Sequence, residues 1–277
     1  MTDRYAVIGN PIAHSKSPAI HAAFARQTGQ DMDYVPLLGS LDHFADDVRR
    51  FVDAGGRGLN VTVPFKQQAW ALTGQRSLRA QSAEAVNTIL VGDGGELRGD
   101  NTDGVGLVRD LTHNHGFDFT GREVLLLGAG GAARGVLRPL LESGLRRLTI
   151  ANRTAAKAVA LARADALTLA DGARVRGCGL DDIKGRRFDL IVNATSSGLV
   201  GSVPRIPDDC LSATGWTYDM LYANEPTPFC LWGTRHGARR VLDGLGMLVE
   251  QAAESFMLWR GERPDTAPVM ARLRAGN

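Results

Sequence analysis

Cysteine is scarce: Cys178, Cys210 and Cys230 are the only three in 277 residues, scattered and odd in number. That pattern excludes a disulfide framework and a zinc knuckle, and it fits free thiols in a reducing compartment. Charge of one sign is also lacking. Thirty-two basic against thirty acidic side chains leave a net charge of +2, so no strong field draws the chain to nucleic acid or to an anionic membrane. No apolar run is long enough to span a bilayer, and the start, Met1 to Tyr5, does not read as a signal peptide, so the expected location is cytoplasmic. Aromatics make up only 6% of residues, and there is no repeat, low-complexity tract or long linker. The Gly-x-Ser-x-Gly elbow of hydrolases is missing too. His113 and His115 form an H-x-H with no further ligand cluster beside it, which reads as a solvated helix end and not as a metal site.

What is present is ordinary globular material, 44% hydrophobic and 22% charged, at a length that suggests two domains. Strand-like apolar runs alternate with helical stretches almost throughout. Arg4 to Gly9, Met32 to Leu38 and Gly58 to Val63 read as strands. Pro18 to Gln27 and Leu41 to Ala54 read as helices. The turn Asp93-Gly94-Gly95 separates extended stretches at Ala85–Val91 and Leu97–Asn101, and a helix is expected to start near Asn101-Thr102-Asp103. A second region opens at Val124–Leu127, followed by a helix to about Ser143, a strand at Leu148–Ala151 and a helix from Thr154 to Arg163. Further strands are expected at Leu190–Asn193 and Trp216–Asp219, and a last long helix at about Gly246–Trp259. Such alternation indicates βαβ units and an α/β fold with a parallel sheet.

Gly128, Gly130 and Ala133 make a G-x-G-x-x-A pattern that follows an apolar strand and opens a helix. In that context the glycines let the backbone approach a pyrophosphate, and the helix N-terminus offers free N–H groups and a positive dipole end. An Asp or Glu at the end of the next strand would hold the ribose 2′-hydroxyl of NAD. This chain places Asn152-Arg153-Thr154 there, with Lys157 one turn on, donors suited to a phosphate dianion and hence to NADP.

Elsewhere polar residues gather at strand ends. Lys66 closes Asn60–Lys66 in a turn after a strand, Asn87 lies in Ala85–Thr88, and Asp103 lies in Gly99–Gly104. Together these would suit a polyhydroxylated ligand at the carboxyl edge of a sheet. In an extended His14–Pro18 segment, Ser15 and Ser17 would project together as donors to a carboxylate. Equally, serines before a helix serve as caps. Met247, Gln251 and Ser255 share one face of the last helix, so Gln251 is either a buried, bonded amide or a ligand contact.

Taken together these segments resemble the shikimate dehydrogenase family. The resemblance rests on Ser15-Lys16-Ser17, Asn60 to Lys66, Ala85 to Thr88, Gly99 to Gly104, Gly128 to Arg134, Asn152 to Thr154 and Asn193 to Ser196. It continues through Tyr218 to Tyr222, Asp243 to Leu248 and Gln251, in the family's order over nearly the whole chain. It implies a substrate-binding domain of residues 1–103 plus 245–277 and a Rossmann-like NADP-binding domain of residues 104–244. It implies a monomer or homodimer acting on a small molecule, with no nucleic-acid or membrane partner. The implied reaction is the NADPH-dependent reduction of 3-dehydroshikimate to shikimate, a step of chorismate and aromatic amino-acid biosynthesis. A relative that also oxidises quinate is the alternative.

The resemblance further implies that Ser15 and Ser17 bind the substrate carboxylate, while Thr62, Asn87, Asp103, Tyr222 and Gln251 contact the ring or its hydroxyls. Lys66 and Asp103 flank the reacting hydroxyl as the catalytic pair. Gly128, Ala129, Gly130, Gly131, Ala132, Asn152, Arg153, Thr154, Lys157, Thr195, Met220 and Gly244 line the cofactor, and no metal is involved. One stretch departs: where many relatives carry an acidic residue, Gln75-Arg76-Ser77-Leu78 has none. A carboxylate beside a lysine favours its charged form, so Lys66 is expected to be a ready acid for reduction. Whether Lys66 alone or the pair moves the proton stays open.

Overall fold

The structure, a computed structural model, describes residues 2–166 and 175–276. It divides into two compact units, Met1–Gly106 with Leu248–Asn277, and Leu107–Met247. Among the described residues no helix is long and apolar enough to cross a membrane.

The first unit is built on a six-stranded sheet. It takes β1 (Asp3–Gly9), β2 (Met32–Leu38), β3 (Gly56–Val61), β4 (Gln75–Arg76), β5 (Thr88–Val91) and β6 (Leu97–Asp100), in the order β2-β1-β3-β5-β6-β4. β1 pairs parallel with both β2 and β3. The sheet is mixed and not wholly parallel, because the Asp93-Gly94-Gly95 turn folds β5 and β6 into a hairpin, and β5 also runs antiparallel to β3. β1 is buried on both faces, as a central parallel strand must be. Ala6 and Ile8 pack with Leu59, Val61 and Ile89 under Phe44, Val48 and Phe51 of α2 (Phe44–Asp53). Tyr5 and Val7 face the other way, with Tyr34. Ile20 and Phe24 of α1 (Ser17–Thr28) pack against Val249, Ala252 and Phe256. The short α3 (Lys66–Leu72), α4 (Leu78–Ala83) and α10 (Ala267–Arg274) complete the unit. α5 (Asp103–Arg109) and α9 (Leu245–Arg260) carry the chain from one unit to the other.

His21 sits inside this core, fully buried. Its ring stacks on Tyr34, centroids 4.1 Å apart and planes within 10°, with Trp259 at 5.4 Å. Neither ring nitrogen has a hydrogen-bond partner of ordinary geometry. Burial pushes the imidazole pKa down to about 3, and the nearby Asn60 side chain offsets this only in part. The folded ring is therefore neutral at any physiological pH, whereas in the unfolded chain it titrates near 6.5. Below that pH the unfolded state takes up a proton that the folded state refuses. The stability from the neutral ring is complete above pH 6.5 and is lost as pH falls towards 3. The expected loss between pH 7 and pH 5 is about 2 kcal/mol. Urea midpoints at the two pH values should show this drop, and it should be absent in His21→Phe. An equal drop in both proteins would mean that other groups set the acid sensitivity.

The second unit holds β7 (Glu123–Leu127), α6 (Gly131–Glu142), β8 (Arg147–Asn152), α7 (Ala155–Ala166), β9 (Val175–Gly179), β10 (Phe188–Asn193), β11 (Leu211–Asp219), α8 (Pro228–Arg235) and β12 (Arg240–Leu242). Its sheet has the order β12-β11-β10-β7-β8-β9, and every neighbouring pair is parallel. This is the Rossmann order, with the reversal between β7 and β10. Val124, Leu126, Leu148 and Ile150 face α6 and α7, while Leu125, Leu127 and Ile191 face Phe229 and Trp232 of α8. Cys178, Cys210 and Cys230 are free and buried, and burial raises the Cys210 thiol to about 12. Asp110–Asn114 continues α5 as a π-helical turn. There His113 is exposed, but His115 is not merely solvated, since its ring lies 3.5 Å from Asp110. No group of three or more metal-ligating side chains occurs among the described residues.

Candidate functional site

In the first unit, four segments deliver polar side chains to one place. Lys66 opens α3, five residues after the end of β3, so it stands on the first turn of a helix and not in a strand-end turn as its sequence suggested. The Val86 N–H donates to the Lys66 carbonyl at 2.9 Å, and the Asn87 N–H to the Asp100 carbonyl at 3.0 Å, which ties the three segments together. Asp103 is the first residue of α5, where the free N–H end of a helix favours a carboxylate. Lys66 Nζ donates to Asp103 Oδ2 at 2.6 Å, with the two side chains 31% and 15% exposed, so the pair is shielded yet open to a ligand. The other carboxylate oxygen, Oδ1, accepts from Asn87 Nδ2 at 2.8 Å. Asn87 Nδ2 also reaches Gln251 Oε1 at 3.3 Å, and Gln251 Nε2 donates to the Leu248 carbonyl at 2.9 Å. Lys66, Asn87, Asp103 and Gln251, which span most of the sequence, thus form one hydrogen-bonded group. Gln251 is bonded and also partly exposed, so neither of its two sequence readings excludes the other.

The serines behave differently from the extended-segment expectation. A single turn over residues 12–15 is closed by the Ser15 N–H on the Ile12 carbonyl at 3.0 Å, Lys16 has helical φ and ψ, and α1 begins at Ser17. Ser15 Oγ accepts the Ser17 N–H at 3.3 Å, a local turn bond of the capping kind, and the buried Ser17 hydroxyl faces the Tyr34 phenol. Thr62 follows β3, half-buried, its N–H donating to the Ile8 carbonyl at 3.0 Å. Tyr222 belongs to the second unit, on the loop after β11. It is 37% exposed, with partial burial raising its phenol pKa.

The remaining candidates lie at the carboxyl edge of the second sheet. Gly128 follows β7, Asn152 ends β8, Thr195 follows β10 and Met220 follows β11, with Gly244 just beyond β12. Gly128 has φ +108°, and a Cβ there would lie 3.1 Å from the Ala194 carbonyl oxygen, so only glycine closes the β7–β10 reversal so tightly. A Cβ on Gly130 or Gly131 would meet nothing, so the loop surface of Gly128 to Ala132 is open on its outer side. Gly130 caps α6 without any side-chain acceptor, leaving the first N–H groups of a twelve-residue helix to a ligand. Asn152 Nδ2 turns back to the Thr154 carbonyl at 3.0 Å, and Arg153, Thr154 and Lys157 are exposed at the same strand end with no carboxylate among them. Thr195 donates its hydroxyl to Asn193 Oδ1 at 2.7 Å, the Met220 N–H bonds the Asn193 carbonyl, and the Gly244 N–H bonds the Leu221 carbonyl. Open backbone N–H groups beside two cations fit the diphosphate and the 2′-phosphate of NADP, on chemistry as well as shape.

Reading the sequence missed Thr88, Thr102 and Asn60 as members of the site. All three are buried, and they surround Asn87 and Ser255. Asn60 and Thr88 stand within segments already notable for their polar residues, and Ser255 lies on the helix face of Gln251. That was the available signal.

Three family models match the chain: the shikimate dehydrogenase substrate binding domain over residues 7–89, shikimate / quinate 5-dehydrogenase over 110–200, and the shikimate 5′-dehydrogenase C-terminal domain over 244–274. The shikimate dehydrogenase (NADP(+)) of Alkalilimnicola ehrlichii is 55% identical over 99% of both chains. Among solved structures, the Ael1 enzyme of Pseudomonas putida superposes with a TM-score of 0.91 at 46% identity, covering 98% of each chain. Shikimate 5-dehydrogenase of Thermus thermophilus, in complex with NADP(H) and shikimate, superposes with a TM-score of 0.86 at 34% identity over the full length of both.

Proposed function

The chain belongs to the shikimate dehydrogenase family, and from that premise we propose that it interconverts shikimate and 3-dehydroshikimate with NADP as its cofactor, in the cytoplasm. The observation that carries the reading is the Lys66–Asp103 pair at 2.6 Å with Asn87 and Gln251 bonded around it.

NADPH, when bound, supplies the hydride that reduces the ring carbonyl of 3-dehydroshikimate. The carbonyl oxygen then becomes an alkoxide in need of one proton. Lys66 Nζ is the donor, and Asp103 holds that ammonium in place while accepting a hydrogen bond from a neighbouring ring hydroxyl. In the oxidising direction the same nitrogen, once neutral, takes the hydroxyl proton. Asn87 and Gln251 orient the ring hydroxyls, with Thr62 and Tyr222 as further contacts. Ser15 and Ser17 take the carboxylate at the start of α1. Residues 1–103 with 245–277 form the substrate domain, and residues 104–244 hold the cofactor on the glycine loop, Asn152 to Thr154, Lys157, Thr195, Met220 and Gly244.

The test is NADPH formation from shikimate, run beside NAD with shikimate and beside quinate with NADP. Turnover with quinate and none with shikimate, or none with either, would overturn the reading. Cofactor choice has its own expectation. Arg153→Ala removes one charge-assisted hydrogen bond, worth about 1.5–3 kcal/mol, so NADP should bind roughly 10–100-fold more weakly while NAD is almost unaffected. Equal losses for the two cofactors would show that Arg153 does not read the phosphate.

A further inference from the structure

Behind the Lys66–Asp103 pair lies a buried file of polar side chains whose donors point one way. Two backbone groups and a carboxylate fix the direction. The Thr102 N–H donates to Asn87 Oδ1 at 2.9 Å, so the Asn87 amide must turn its nitrogen to Asp103. The Asn87 main-chain carbonyl accepts from Asn60 Nδ2 at 3.3 Å, so the Asn60 nitrogen faces inward and its oxygen faces Tyr34. The Tyr34 phenol is then the donor to Asn60 Oδ1, at 2.7 Å. Burial raises the pKa of that phenol well above its usual value, so it keeps the proton it donates.

Buried hydroxyls bridge these points, and the amide oxygen of Asn87, which can only accept, fixes the last step from Thr88. Asn60 Nδ2 lies 3.0 Å from Ser255 Oγ and 3.2 Å from Thr88 Oγ1, and Ser255 and Thr88 are 2.8 Å apart. The Ser255 proton has three acceptors in reach, Thr88, Thr102 and the Gln251 carbonyl. Thr88 Oγ1 lies within reach of both donors, Ser255 and Asn60. Its own single proton goes to Asn87 Oδ1 at 2.9 Å. Asn87 Nδ2 passes the direction to Asp103 Oδ1, and Lys66 closes the file on Oδ2. Thr88, Thr102 and Ser255 have no exposed surface, and Asn60, Asn87 and Tyr34 have almost none. A file of aligned donors in such a medium polarises each bond in turn.

We propose that this one-way chain positions the Asn87 amide on Asp103 and that Thr88 is its keystone, a positioning residue that acts on the proton-transfer pair only through Asn87. The inference rests on the reading of Lys66 and Asp103 as that pair. With the Thr88 hydroxyl gone, Asn87 Oδ1 loses a donor and its nitrogen becomes a weaker donor to Asp103. The carboxylate is then less neutralised from behind and holds the lysine proton more tightly. Oxidation, which needs that proton gone, should begin at higher pH.

The test compares Thr88→Val, which keeps the shape without the hydroxyl, with Thr88→Ser, which keeps the hydroxyl. Turnover of shikimate deuterated at the transferred hydrogen is followed against pH, together with the melting temperature. Thr88→Val should lower kcat about tenfold and move the rising limb up by about half a pH unit, leaving the KM for NADP unchanged. Thr88→Ser should restore both. A lower melting temperature with wild-type kcat and an unmoved limb would make Thr88 a packing residue only. So would a lower kcat with an unmoved limb. Should Thr88→Val fail to fold, Tyr34→Phe at the far end of the file must move the limb in the same direction, or the inference falls. Failure of the underlying reading is seen separately, since the limb would then survive in Lys66→Ala.

Discussion

Lys66→Ala should lower shikimate turnover by about 10²–10⁴-fold, the range lost when a positioned general acid or base is removed. The nitrogen deleted is the one held 2.6 Å from Asp103, and no other lysine or arginine is paired with that carboxylate among the described residues. The KM for NADP should change little, because the loops proposed to hold the cofactor belong to residues 107–247, while Lys66 belongs to the unit that ends at Gly106 and resumes at Leu248. With chemistry made rate-limiting by a deuterated substrate, wild-type oxidation should rise with pH as the pair loses its proton. In Lys66→Ala that limb should vanish. Near-normal turnover with the limb intact would leave Lys66 as a binding residue and remove the proton-transfer step from the proposed mechanism.

Much of the fold was readable because burial writes itself into composition. β7 ends in four consecutive buried residues, Val124 to Leu127, before a glycine, and β2 ran from Met32 to Leu38 as its apolar run suggested. The short elements left weaker marks. α3 has no capping side chain at Phe65 and no acid in its first turn, so Lys66 looked like the end of a turn. β12 is only three residues long. β9 contains Gly177, where a Cβ would lie 2.3 Å from the Ala158 carbonyl oxygen, so packing against α7 demanded a residue that strand propensity disfavours. α8 did carry a helix-start signal in Thr227-Pro228, with the Thr227 hydroxyl capping Cys230 N, and went unread because the helix is short.

The site divides in the same way. The glycine loop and Asn152 to Thr154 are contiguous, so local pattern was enough to suggest a nucleotide phosphate. Lys66, Asn87, Asp103 and Gln251 converge only through the tertiary fold, and Asn87 and Gln251 are 164 residues apart. No periodicity connects them; their places at strand ends grouped Lys66, Asn87 and Asp103, and only the family resemblance joined Gln251 to them. The polar file behind Asn87 was still less legible, since a buried threonine in a strand reads as β propensity until its hydroxyl is seen to have partners.

Asp103→Asn should be the second most damaging change. The carboxylate now accepts on both sides, from Lys66 on Oδ2 and from Asn87 on Oδ1. An asparagine has one acceptor and one donor end. If its oxygen faces Lys66, its nitrogen meets the Asn87 nitrogen, which cannot turn away because Thr102 N–H holds the Asn87 oxygen. If it faces the other way, the lysine loses its partner. Hydrogen bonds to charged groups are worth about 1.5–3 kcal/mol, so the lost contact and the lost counter-charge together should cost roughly 10²–10³ in kcat/KM for shikimate. Because the two side chains act on one proton, the losses should not multiply. The double variant, Lys66→Ala with Asp103→Asn, should be slower than Lys66→Ala but less impaired than the product of the single losses, since without the ammonium only the ring-hydroxyl contact of the carboxylate is left to lose. Single-turnover rates for the four proteins close the cycle, with thermal melts to confirm that each is folded. If the double variant shows the full product of the two single losses, Lys66 and Asp103 act independently. The carboxylate is then a substrate contact only, and the pair has no joint role in moving the proton.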